Sequence, residues 1–143
     1  MEGPVYDITI ILVDDDEGHL ELIKEYLLDE GYIGGIKEFS SGIEALRWLN
    51  EKKKLNGALK NCIIITDIRM PVMDGIEMIS KIKSDEELKG IPILVFTTSD
   101  EKRDVDKCYN AGCNCFLSKP TIPGMFPETI KNLISIMKNL LSA

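Results

Sequence analysis

Five short strand candidates punctuate the chain, and four of them are apolar runs that end abruptly in polar residues. They are 8–13 (ITIILV) before Asp14, 32–39 with Phe39 at its end, 62–66 (CIIIT) before Asp67, 91–96 (IPILVF) before Thr97, and 113–117 before Lys119. Runs of this length that are apolar throughout are those of strands buried on both faces, as in parallel sheets. Tyr32–Phe39 is the weakest of them, because Gly34 and Gly35 lower its strand propensity and point to an edge.

Between the runs the apolar period changes to that of a helix. Leu20, Ile23 and Leu27 share one face, and Gly31 closes that segment. Ser41 with Glu44 forms a capping-box pattern ahead of Ile43, Leu46 and Leu49, which are expected to face the core. Trp48 falls on this second helix. Lys52, Lys53 and Lys54 belong to a solvated connection spanning 51–60. Pro71 and Gly75 lead into a helix carrying Met78, Ile79 and Ile82. A highly charged helix over 100–111 is stopped by Gly112. A last one opens at Pro127 and carries Ile130, Leu133, Ile134, Met137 and Leu141. Strand and helix thus alternate five times, and right-handed crossovers make this a parallel sheet with helices on both sides. The expectation is one α/β domain over residues 1–143, with its core at about 8–141.

Composition excludes several classes of function. With 44% apolar and 29% charged residues the chain is expected to fold rather than stay disordered. A net charge of -7 argues against a nucleic-acid surface. No apolar run approaches the ~20 residues that cross a membrane, and Met1–Asp7 lacks the pattern of a signal peptide. The four cysteines, Cys62, Cys108, Cys113 and Cys115, have no framework spacing, which suits a reduced cytoplasmic protein. Cys113-x-Cys115 with Cys108 lacks the paired spacing of a thiolate metal site, and Cys115 is expected as a buried small hydrophobe.

Ligands of open parallel sheets bind beyond the carboxyl ends of the strands. There this chain sets Asp14 and Asp15, Asp67, Thr97 and Thr98, and Lys119. Crowded carboxylates repel, so they need a cation or a raised pKa. An oxygen donor set points to a hard ion, and Mg²⁺ fits one that leaves room for a phosphoryl oxygen. A lysine and a hydroxyl beside it suit the other phosphoryl oxygens, so the group is equipped for phosphoryl transfer to a carboxylate. Asp16 is better explained as a helix start, and Asp74 with Gly75 as turn and cap. His19, the single histidine, is expected on the surface.

The motifs Ile10-Leu12-Val13-Asp14-Asp15, Asp67 with Met70-Pro71 and Asp74-Gly75, Thr97, and Lys119-Pro120 resemble those of response-regulator receiver domains over about 8–141. The resemblance implies a doubly wound, flavodoxin-like sheet of order 2-1-3-4-5. It also implies a signalling switch that accepts a phosphoryl group on Asp67 from a histidine kinase or a histidine phosphotransfer protein. Asp67, Asp15, the Arg69 backbone carbonyl and, through water, Asp14 would hold Mg²⁺. Thr97 and Lys119 would bind the phosphoryl group, and Phe116 stands at the aromatic switch position.

Arg69 and Ser99, two residues past Asp67 and Thr97, occupy rate-tuning positions, and Arg69 is expected to shield the phosphoryl group. Thr98, larger than the residue often found there, would narrow access. The downstream protein is unknown, and the face of the fourth helix, fifth strand and last helix is the docking or homodimer surface the resemblance implies. A stand-alone regulator and a receiver cut from a larger chain both fit. One alternative is a small Mg²⁺-dependent phosphatase with an aspartyl-phosphate intermediate, though adjacent acids replace the usual Asp-x-Asp after the first strand. Another is an interaction module that has lost phosphorylation.

Overall fold

The computed structural model describes residues 8–142, with side chains to Leu141; residues 1–7 and 143 of the expected domain lie outside this range. Five parallel strands form one sheet of order β2-β1-β3-β4-β5: β1 Thr9–Val13, β2 Gly35–Phe39, β3 Cys62–Thr66, β4 Ile93–Thr97 and β5 Cys115–Ser118. The helices are α1 Glu17–Asp29, α2 Gly42–Lys52, α3 Gly75–Lys83, α4 Lys102–Ala111 and α5 Phe126–Ser142. The expected order and alternation are those observed.

Alternation along each strand divides the core into two layers. Ile11, Val13, Ile64, Ile93 and Val95 meet Ala45, Leu49, Met78, Ile79 and Ile82 of α2 and α3 on one face. Ile10, Leu12, Ile63, Ile65, Leu94 and Phe96 meet Leu20, Ile23 and Leu27 of α1 and Ile130, Leu133 and Met137 of α5 on the other. The three central strands are therefore covered on both faces, and β2 and β5 form the edges.

Several boundaries differ from expectation for one physical reason. The amides of Gly31 and Tyr32 bond to Leu28 and Leu27 carbonyls, and those of Gly112 and Cys113 to carbonyls of α4. Tyr32 and Cys113 thus close the preceding helices, and their strands begin later, at Gly35 and Cys115. Gly112 makes this turn at φ 114°, where a side chain would be strained. In α2, Ala45 and Leu49 take the buried stripe, while Ile43 and Leu46 are only partly covered. Cys115 is partly buried rather than fully so.

Val72, in the loop between β3 and α3, has φ 69° and is 89% exposed. A β-branched residue is strained there, and its exposure means that no packing repays the strain. Val72→Asn is expected to stabilise the fold by about 1 kcal/mol in urea denaturation. An unchanged or lower midpoint would contradict this account of the loop.

Candidate functional site

The sheet register brings the polar residues together. Val13 pairs with Thr66, so Asp14 and Asp67 leave adjacent strands side by side. The Asp67 amide bonds to the Val13 carbonyl at 3.0 Å. Thr97 pairs with Ser118, and the Lys119 amide bonds to the Thr97 carbonyl.

Lys119 is 3% exposed, and its Nζ donates to Asp14 Oδ2 at 2.5 Å and to Asp67 Oδ2 at 3.1 Å. The ammonium bridges two carboxylates that would otherwise repel. Asp14 Oδ1 accepts the Asp16 amide at 2.9 Å, so both Asp14 oxygens are engaged by protein donors. Asp67 Oδ1 accepts the Ile68 amide at 2.7 Å. Its side chain keeps 12% exposure, enough to be reached from solvent where Asp14 is not. Gly75 is required behind it, because a Cβ there would stand 2.2 Å from the Asp67 carbonyl oxygen.

Thr97 is buried, and its Oγ1 accepts the Ser99 amide at a long 3.4 Å, which leaves the hydroxyl able to donate. Thr98 is exposed at the rim. Phe116 is half-buried against the core layer beneath α2 and α3, and its amide donates to the Tyr109 hydroxyl at 3.1 Å. Asp16 and Asp74 are helix caps, accepting the amides of His19 and Glu77. The cysteines are free; burial pushes the Cys108 thiol up to about 12 and Cys113 to about 11, so neither supplies a thiolate.

Two participants were not foreseen. His19 is not a plain surface residue: it is half-buried, with Nδ1 2.9 Å from Lys119 Nζ and 3.8 Å from Asp14 Oδ2. Its sequence signal was a place at the head of the buried α1 stripe, four residues before Ile23. Asp104, on the charged helix α4, is 3% exposed and accepts Ser99 Oγ at 2.6 Å and Arg69 Nη2 at 3.0 Å on one oxygen. Its signal was the four-residue step to buried Cys108. The Ser99 hydrogen bond and the Arg69 guanidinium hold the Asp104 carboxyl below its ordinary value. Arg69 therefore pairs with Asp104 here.

Asp14, His19 and Asp67 offer ligand atoms within 4.8 Å of one another, but the Lys119 ammonium already bonds to all three side chains. Asp15, exposed at the mouth, is not one of the three. The carboxylates are hard oxygen donors of the class that suits Mg²⁺, and solvent reaches those of Asp67 and Asp15 but not that of Asp14.

The family model described as "Response regulator receiver domain" matches residues 10–131. The chain is 35% identical over 126 residues to the probable transcriptional regulator ycf29 of Porphyra purpurea, covering 88% of this chain and 56% of that protein. It thus spans about half the length of that relative. It is 33% identical over 124 residues to the chemotaxis protein CheY1 of Helicobacter pylori, covering 87% and 94%. The crystal structure of a response regulator receiver domain from Rhodospirillum rubrum superimposes with a TM-score of 0.83 at 28% identity, covering 92% and 94%.

Burial pushes the Asp14 carboxyl above its ordinary 3.8, and the Lys119 hydrogen bond pulls it back. A carboxyl raised on folding favours the fold at low pH, a contribution lost as pH rises from 3.8 through the raised value. Lys119→Met removes the lowering influence and leaves Asp14 buried and unpaired. It is expected to cost roughly 3–5 kcal/mol at pH 7 in chelator. The difference from wild type should narrow as pH falls towards 3.8. A pH-independent difference in urea denaturation would contradict this account of the pair.

Proposed function

The chain belongs to the response regulator receiver family, and from that premise we propose that it is a phosphorylation-dependent switch with Asp67 as its acceptor. The observation that carries this is the Lys119 ammonium held between Asp14 and the solvent-reachable Asp67. A lysine in that place can leave one carboxylate for a stronger anion bonded to the other.

An Asp67 carboxylate oxygen attacks the phosphorus of a phosphohistidine on a histidine kinase or histidine phosphotransfer protein. The P–N bond breaks, the imidazole leaves with the electron pair, and an acyl phosphate remains on Asp67. Lys119 Nζ and the Thr97 hydroxyl then bind phosphoryl oxygens, each worth roughly 1.5–3 kcal/mol as a charge-assisted hydrogen bond. Full inversion of a 1:99 equilibrium takes about 5.5 kcal/mol. The two contacts reach that only at their upper range, and a partner that prefers the active face supplies the remainder. Asp67, Asp15 and the Arg69 carbonyl, with Asp14 through water, would hold Mg²⁺, which when bound neutralises charge on the transferring group.

The output face is that of α4, β5 and α5: α4 exposes the large apolar Tyr109, and the connection from β5 to α5 exposes Ile122 and Met125. It suits a downstream protein or a second copy of the chain. Among the described residues no helix is long and apolar enough to cross a membrane. The phosphatase alternative finds no support in the family match, and receiver domains act as signalling switches rather than on external substrates.

Intact-mass spectrometry after incubation with acetyl phosphate, or with a phosphorylated kinase, tests the assignment. One phosphoryl group is expected with Mg²⁺ on wild type and none on Asp67→Asn. An adduct that survives this substitution, or none from either donor, would contradict it. Arg69→Ala is expected to shorten the phosphoryl lifetime several-fold; an unaltered lifetime would remove the shielding role of Arg69.

A further inference from the structure

Helix α4 is lightly anchored. Only Asp104 and Cys108 among its residues are buried, and its N-cap, Glu101, makes no side-chain cap hydrogen bond. Its first turn is held instead by the Asp104 carboxylate, which gathers Ser99 from the β4–α4 loop and Arg69 from the β3–α3 loop on one oxygen. Ser99 and Arg69 each stand two residues beyond a group assigned to phosphoryl chemistry, Thr97 and Asp67.

We infer that Asp104 is a positioning residue that competes with a phosphoryl group on Asp67 for the Arg69 guanidinium, and so ties the acceptor's state to the anchoring of α4. The inference rests on Asp67 being the acceptor proposed above. A guanidinium binds carboxylate and phosphate in the same forked geometry, so the new dianion offers Arg69 a partner at least as strong as Asp104. When Arg69 leaves, Asp104 keeps Ser99 alone, and the first turn of α4 loses one of its two attachments. The coupling is reciprocal: a partner that shifts α4 also changes how much of Arg69 reaches the phosphoryl group.

Asp104→Asn keeps the shape of the side chain and an acceptor for Ser99 while removing the charge that holds Arg69. The phosphoryl lifetime on Asp67 is expected to lengthen by about tenfold, the size of one charge-assisted hydrogen bond gained. In an Arg69→Ala background the same substitution is expected to change nothing. A role confined to packing would give equal changes with and without Arg69, and that result overturns the inference, as does an unchanged lifetime.

A second measurement needs no variant. The Arg69 Nε resonance and the hydrogen exchange of the first turn of α4 are both expected to change when wild type is phosphorylated. A static resonance with unchanged exchange overturns the coupling. Absence of any phosphoryl group on Asp67 would overturn the proposed function and this inference together. A phosphorylated chain indifferent to Asp104 would overturn the inference alone.

Discussion

Two carboxylates leave neighbouring strands side by side, and one buried ammonium stands between them. Neither Asp14 nor Lys119 would tolerate that burial without the other, because an unpaired charge in the interior costs several kcal/mol. The pair holds the carboxyl ends of β1 and β3 to the chain that follows β5, over a sequence separation of 105 residues. The same ammonium is the group that a phosphoryl oxygen on Asp67 would recruit. On the proposed function, fold stability and switching would share one side chain, and the sheet register is what places it.

Around that pair the structure divides into a rigid half and a loosely held half. The strands β1, β3 and β4 are buried on both faces, and their positions cannot change without opening both core layers. By contrast α4 is held through Asp104 and Cys108, and β5 lies at an edge with its residues only partly covered. Changes in the contacts of Thr97, Ser99 and Arg69 reach this second half directly. Interfaces of this kind move between discrete arrangements, while the packed sheet does not deform to absorb the change.

The alternation of strands and helices and the polar residues at the strand ends were legible because they are local in sequence, whereas the order 2-1-3-4-5 came from the family resemblance. The apolar runs end in Asp14, Asp67, Thr97 and Lys119, and a parallel sheet forces strand ends to one edge. Caps at Ser41 and Asp74 were equally local, each satisfied three residues on. Asp104 was not, since its partner Arg69 is 35 residues away and its helix is otherwise polar. His19 was missed for the same reason: its partner Lys119 is 100 residues distant. The late starts of β2 and β5 follow from a competition that propensity does not contain. Tyr32 and Cys113 each close a helix, and one amide cannot also begin a strand.

The most direct test of the central claim is the ¹⁵N resonance of the Lys119 Nζ, followed with and without phosphorylation in the presence of Mg²⁺. Its burial should keep the ammonium protons slow enough to observe. If Lys119 passes from the Asp14–Asp67 bridge to a phosphoryl oxygen, the resonance moves on phosphorylation of wild type and stays in place in Asp67→Asn under the same treatment. A resonance that is unchanged while Asp67 carries the phosphoryl group would show that Lys119 is a structural tie alone, and the switch described here would have no lever.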